Sequence, residues 1–122
     1  MKTKDKKKPP LLLEGELLLE KVSRMAEAEI KISILDVTHI DAESVTLAES
    51  IEVLTLKKNQ TRIPFIIFGT APEPSISYIV VASISVQNEN REKITLYRTT
   101  QSIPVFRDRF PDTVMIPLTK IN

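Results

Sequence analysis

The chain contains no cysteine and no tryptophan, and it has only two glycines, Gly15 and Gly69. Without cysteine there can be no disulfide bond, no thiolate metal site and no cysteine nucleophile. Two glycines so far apart cannot form either of the glycine-rich loops that bind nucleotide phosphates. The sequence therefore excludes cysteine chemistry and both of these phosphate-binding motifs.

Histidine is almost as scarce, since His39 is the only one. It lies in a predicted turn beside Asp41, and a lone histidine in a turn is usually solvated. A metal site needs several converging ligands, and acidic groups such as Glu14, Glu16 and Glu20 are typical of a solvated face. We therefore predict a protein that is not an enzyme and has no metal site and no cofactor.

No apolar run approaches the roughly 20 residues that cross a bilayer, and the amino terminus lacks the apolar stretch of a secretory signal. These features predict a cytoplasmic protein, or a nuclear one in a eukaryote. Lysine and glutamate are abundant while thermolabile residues are few, which is the compositional trend of hyperthermophile proteins.

The 122 residues are enough for one domain, and the charge is unevenly distributed along them. Residues 1–10 carry a balance of +4, and the remaining chain carries −3. The basic residues of the first segment are Lys2, Lys4, Lys6, Lys7 and Lys8. We predict a disordered basic tail over residues 1–10 and a single domain over 11–122. The tail either contacts nucleic-acid phosphates weakly or only aids solubility.

From residue 29 onward the pattern is that of short strands. Residues 29–37 alternate through Ile30, Ile32 and Ile34 and then change phase at Leu35, which indicates a bulge or a strand buried on both faces. Further strand-like runs occupy residues 45–58, 63–69, 76–87, 93–98, 102–106 and 113–121. The run at residues 45–58 is either one bent strand or two short ones. Pro64 has no amide hydrogen to donate, so the run at residues 63–69 should lie at a sheet edge or pair only after the proline. The spacing predicts an all-β fold of seven to eight strands, a small barrel or a sandwich.

One loop combines aromatic and basic residues. The run "VFRDRF" places Phe106, Arg107 and Arg109 close together, as a protein that stacks on single-stranded nucleic acid would require. Asp108 and Asp112 dilute the positive charge, so we favour a rim loop of mixed charge over a nucleic-acid site.

The opening stretch, residues 11–37, is ambiguous between a helix and a strand. Residues 16–28 are strong helix formers, and Leu18, Val22 and Met25 follow helical spacing. The same stretch, however, resembles the amino-terminal hairpin of the subunit-eight family of RNA polymerases, a family of small subunits that also occurs in some hyperthermophilic archaea. The matching positions are Glu14 and Gly15, then Lys21 to Arg24, then Glu27 and Glu29, then Leu35 to Val37. Residues 77–86 and 112–121 are similar to the family's central and closing strands.

The resemblance implies a closed or partly open oligonucleotide-binding-like β-barrel, with residues 17–25 as its first strand. It also implies a non-catalytic polymerase subunit that docks on the largest subunit of the enzyme and supports its assembly. Apolar edge strands suit such docking, so the residues that we expect to bind the partner are Ile66, Phe68, Ile103 and Val105.

Two alternatives stay open on the sequence alone. One is a free-standing barrel that binds single-stranded nucleic acid through Lys2, Lys4, Lys6, Lys7, Lys8, Phe106, Arg107 and Arg109. The other is a protein of unrelated fold that self-associates through its isoleucine-rich strands.

Overall fold

The computed structural model describes residues 8–39 and 43–121, and within them every regular element is a β-strand. The strands are β1 (Leu11–Leu18), β2 (Ala26–Asp36), β3 (Val45–Leu56), β4 (Arg62–Phe68), β5 (Tyr78–Gln87), β6 (Lys93–Arg98), β7 (Ile103–Val105), β8 (Asp112–Pro117) and β9 (Thr119–Lys120). The all-β class is confirmed. The ambiguous run at residues 45–58 is one long strand, β3.

The strands form two sheets. The small sheet has the order β4-β1-β8, and the large sheet has the order β3-β2-β5-β6-β9, with β7 also paired to β5. In the small sheet, β1 lies antiparallel to β4 and parallel to β8. Neither sheet closes on itself among the described residues, so the arrangement is the partly open form of the predicted barrel. β4 lies at an edge, as Pro64 predicted.

The core lies between the two sheets and follows the period of two that strands impose. In β2 the inward residues Ile30, Ile32 and Ile34 are 4% exposed or less. Leu13 and Leu17 of β1 are fully buried opposite them. Burial of each such side chain contributes about 1.5–3 kcal/mol. The predicted phase change is also present, since the pairing of β2 with β3 shifts register between Ile34 and Leu35.

Residues 19–25 are neither the helix nor the strand that the sequence predicted. They form a loop whose backbone hydrogen bonds go to the turn between β3 and β4. Leu19 N donates to Thr61 O at 3.0 Å, and Asn59 N donates to Val22 O at 2.8 Å. Leu19 and Val22 are buried, whereas Met25 is 71% exposed. Tertiary contacts with a distant turn therefore override the local helix propensity.

Gly15 is a position where the backbone of β8 approaches β1 too closely for a side chain. It pairs with Phe65 of β4 on one side and with Val114 of β8 on the other. A Cβ atom added to Gly15 would lie 1.7 Å from Val114 O and 2.8 Å from Val114 C. Only glycine permits this approach of two backbones.

Candidate binding surface

Strand β4 is apolar on both of its faces. Its inward residues Ile63, Phe65 and Ile67 are buried, as a two-layer fold requires. Its outward residues include Ile66 and Phe68, which are 48% and 53% exposed. A strand with one solvated face normally alternates apolar and polar residues, and an apolar run on both faces is typical of a strand covered on both sides. The outward side of β4 therefore has the character of a surface that another molecule covers.

The neighbouring strands extend this surface and add acidic groups to it. In the register of the small sheet, Glu14 lies between Ile66 and Thr113, and Glu16 lies between Pro64 and Met115. Met115 is 44% exposed. We use the name small-sheet outer face for Glu14, Glu16, Pro64, Ile66, Phe68 and Met115. It consists of an apolar strip on β4 and the apolar side chain of Met115 on β8, with carboxylates along β1 between them.

The two carboxylates differ in their partners. Glu16 Oε1 accepts a hydrogen bond from Arg62 Nη1 at 2.9 Å, so its charge is compensated within the sheet. The side chain of Glu14 is exposed and makes no ion pair within residues 8–39 and 43–121. The small-sheet outer face therefore presents one uncompensated negative charge beside exposed apolar side chains.

The outer face of the large sheet carries hydrogen bonds and ion pairs between its strands. Ser33 Oγ donates to Glu49 Oε2 at 2.9 Å, and Lys93 Nζ lies 2.6 Å from Glu29 Oε1. The first contact joins the neighbouring strands β2 and β3, and the second reaches from β6 across β5 to β2. Polar and charged contacts between strands are typical of a face in contact with water. Exposed apolar side chains also occur on the large sheet, where Val45, Ile51 and Val53 of β3 are between 55% and 65% exposed.

The residues that the sequence suggested for partner binding separate into two groups. Ile66 and Phe68 lie exposed on the small-sheet outer face. Their assignment to partner binding stays a prediction, and their exposure supports it. Ile103 and Val105 lie on β7, which pairs with β5 in the large sheet. Ile103 is partly buried against the core and Val105 is 2% exposed. In this fold Val105 is a core residue and has no surface to offer a partner.

The residues suggested for nucleic-acid binding also separate. Lys8 is exposed, while Lys2, Lys4, Lys6 and Lys7 lie outside the described residues. Phe106 is half-buried, with its ring centroid 5.8 Å from that of Tyr78 in an edge-to-face arrangement. Its ring therefore packs within the fold, and it is not free on both faces for a base. Arg107 and Arg109 are exposed.

The loop between β7 and β8 is held by one carboxylate. Asp112 Oδ2 accepts a hydrogen bond from Phe106 N at 2.9 Å, and Asp112 Oδ1 accepts from Thr113 N at 2.8 Å and from Arg109 Nε at 3.2 Å. Phe106 has a φ of 61°, a conformation that a bulky residue adopts only when its surroundings require it. Asp112 thus fixes the loop and partly explains the acidic residues that the sequence places among its arginines.

We expect Asp112→Asn to destabilise the protein by about 1–2 kcal/mol, because an amide nitrogen cannot accept the hydrogen bond from Phe106 N. Urea unfolding followed by circular dichroism would measure the change. Asp108→Asn is the matched control, since Asp108 is exposed in the same loop, and it should cost less than about 0.5 kcal/mol. Equal losses for the two variants would contradict the role given to Asp112.

The turn around the only histidine is built on a different aspartate. Thr38 N donates to Asp36 Oδ1 at 2.9 Å, and this bond, followed by one from the Thr38 hydroxyl, lowers the pKa of Asp36 below its ordinary value. The charge of His39 adds a smaller lowering. His39 is exposed, and Asp41 lies outside the described residues. In residues 8–39 and 43–121 no three His, Asp or Glu side chains converge as a metal site would require.

No helix in the described part of the chain is long and apolar enough to cross a membrane.

Sequence reasoning missed Glu14, Glu16 and Met115 as members of the surface. Each lies on a different strand from Ile66 and Phe68, and the strands that bring them together are distant in the chain. The alternation of Glu14 and Glu16 with buried leucines is a local signal that identifies an outward face. It does not identify which other strands share that face.

Comparison with known proteins gives a likeness of fold without a likeness of sequence. No family model matches the chain, and no curated protein matches it either. A solved structure that is similar is an alternative pilotin from the type II secretion system of Vibrio cholerae. The likeness covers 90% of this chain and 96% of that chain, with a TM-score of 0.68 and 16% sequence identity. At this identity the comparison shows a shared fold.

The predicted membership of the polymerase subunit-eight family is wrong, because the solved structure with a similar fold is a secretion-system pilotin and not a polymerase subunit. The structure gives the physical reason, since β1 and β2 lie in different sheets and form no amino-terminal hairpin. Residues 19–25, which hold the centre of the resemblance, are a loop. The predictions that accompanied it are corrected as well: the archaeal transcription protein, its partner the largest polymerase subunit, and the alternative of a free nucleic-acid-binding barrel.

Proposed function

We propose that this protein is a non-catalytic accessory protein that binds a component of a secretion system, in the manner of a pilotin. The observation that carries the proposal is the likeness to the Vibrio cholerae pilotin, which extends over nearly the full length of both chains. A likeness of this extent is not confined to one hairpin or one common motif.

The surface described above supports a binding role. A protein that assembles with another needs an area of exposed apolar side chains with polar groups among them. The small-sheet outer face supplies both, through Ile66, Phe68 and Met115 on its two outer strands and Glu14 on its central strand. The non-catalytic role is part of the proposal, and the small-sheet outer face supports only its binding part.

The test is deletion of the gene in the organism that encodes it, followed by quantitative analysis of the proteins released into the medium. We expect the proteins carried by the secretion system to decrease in the medium and to recover when the wild-type gene is restored. Proteins released by other routes serve as the internal control and should stay constant. Unchanged release of all proteins would contradict the proposal, and so would a genome without any secretion-system genes.

A further inference from the structure

We infer that the small-sheet outer face docks a cationic apolar segment of the partner protein, in which one or more Lys or Arg side chains are flanked by apolar residues. That the partner belongs to a secretion system rests on the proposed function. The chemistry of the segment rests on the surface alone.

The two outer strands of the small sheet provide the exposed apolar side chains that the segment would cover. Ile66 and Phe68 on β4 and Met115 on β8 are each between 44% and 53% exposed, and all three point away from the core. Strands two apart in a sheet are separated by roughly 10 Å, so Ile66 and Phe68 lie on one side of β1 and Met115 lies on the other. A segment lying along β1 would contact the apolar side chains on both sides at once.

The charge of the segment follows from β1. Any partner that covers Ile66 also covers Glu14, because the two residues are paired across β1 and β4. A carboxylate that loses water without gaining a positive partner opposes binding strongly. Glu14 has no ion pair within the described residues, whereas Glu16 is compensated by Arg62. The partner must therefore supply a cation at Glu14.

Two other occupants fit this surface less well. A second copy of the chain, packed through the same face, would place β1 against β1 and so bring the acidic side chains of both copies together. The chain's own residues 1–10 carry the required positive charge, but beyond Met1, Pro9 and Pro10 they contain no apolar residue to cover Ile66, Phe68 and Met115. A separate protein segment that carries both a positive charge and apolar side chains complements the whole small-sheet outer face.

The first experiment uses the purified full chain and labelled peptides of alternating leucine and lysine, with matched peptides that carry glutamate in place of lysine or serine in place of leucine. Fluorescence anisotropy at two salt concentrations gives the dissociation constants. We expect the leucine-lysine peptide to bind most tightly and its affinity to fall as salt screens Glu14. Equal binding of the leucine-glutamate peptide would overturn the inference.

The variants Ile66→Asp and Glu14→Lys should each weaken binding of this peptide by about tenfold or more. Ile51→Asp is the matched control for the first, since Ile51 is 55% exposed on β3 of the large sheet. Glu52→Lys, also exposed on β3, is the matched control for the second. Both controls should bind as the wild type does. If the controls lose as much affinity as the test variants, the peptide binds without regard to the surface and the inference fails.

Folding is checked for every variant by circular dichroism and thermal unfolding, and Ile66→Ser replaces Ile66→Asp if the latter unfolds. A chain without residues 1–10 that binds the peptide more tightly would assign the surface to the tail. A dimer in the ultracentrifuge that Ile66→Asp dissociates would assign it to a second copy. Either result would overturn the inference.

The second experiment separates this inference from the proposed function. Genes for Ile66→Asp and Ile51→Asp are each returned to the deletion strain. We expect Ile51→Asp to restore secretion and Ile66→Asp not to restore it. If wild type and Ile66→Asp restore secretion equally, the surface is wrong and the proposed function stands. If deletion has no effect on secretion, the proposed function is wrong and the peptide experiment alone decides the surface.

Discussion

Replacing Gly15 with alanine will destabilise the protein by about 3 kcal/mol or more, at the upper end of the cost of overpacking. The added methyl group would lie 1.7 Å from Val114 O, which is a backbone atom. A side chain could rotate out of the way, but this carbonyl belongs to the strand that pairs in parallel with β1. Relief of the clash therefore requires β8 to move away from β1.

Gly69→Ala provides the matched comparison. A Cβ atom at Gly69 would meet the side-chain atom Leu12 Cδ1 at 3.0 Å and Ala48 Cβ at 3.3 Å. Small movements can relieve both contacts, so the loss should be about 1 kcal/mol or less. Urea unfolding followed by circular dichroism measures both variants. A Gly15→Ala protein as stable as Gly69→Ala would show that the small sheet tolerates separation of β1 from β8.

The second large effect is expected in the same strand. Leu17 is fully buried, while the next residue, Leu18, lies on the opposite face and is half-buried. We expect Leu17→Ala to cost about 2–5 kcal/mol, through lost burial and the cavity that remains. Leu18→Ala should cost less than about 1 kcal/mol, because its site opens to solvent and leaves no closed cavity.

The comparison of Leu17 with Leu18 also tests the structure of the opening stretch. A strand places neighbouring side chains on opposite faces, so two adjacent leucines must differ strongly in their contribution. Thermal unfolding of both variants gives the difference. Similar losses at the two positions would contradict a strand that ends at Leu18 with Leu17 facing the core.

Much of the fold could be predicted because the evidence for it is local. The alternation in β2, the edge position of the strand that contains Pro64 and the irregularity at Leu35 are all confirmed by the structure. The loop at residues 19–25 could not be predicted, because its hydrogen bonds go to Thr61 and Asn59. The helix-forming residues in this stretch contain no information about those distant hydrogen-bond partners.

The resemblance to a polymerase subunit was misleading for the same reason, because a short motif does not show which distant residues its members contact. Its matching positions include Gly15, which the structure explains by the close approach of Val114. A glycine required by one contact can match a motif in which glycine has another purpose. The sequence predicted part of the candidate surface, through Ile66 and Phe68, because their strand is apolar and carries the edge signal of Pro64. The cytoplasmic location and the absence of catalysis stay predictions.

The parallel pairing of β1 with β8 affects how the protein folds as it is synthesised. The two strands contact each other across about 100 positions of the chain, a separation that slows folding. At the usual rate of translation, roughly 5–20 s pass between the emergence of β1 and that of β8. Throughout that interval one edge of β1 has no partner strand and is available to other chains. Misassembly with a neighbouring nascent chain is therefore most favoured while several ribosomes translate the same messenger RNA.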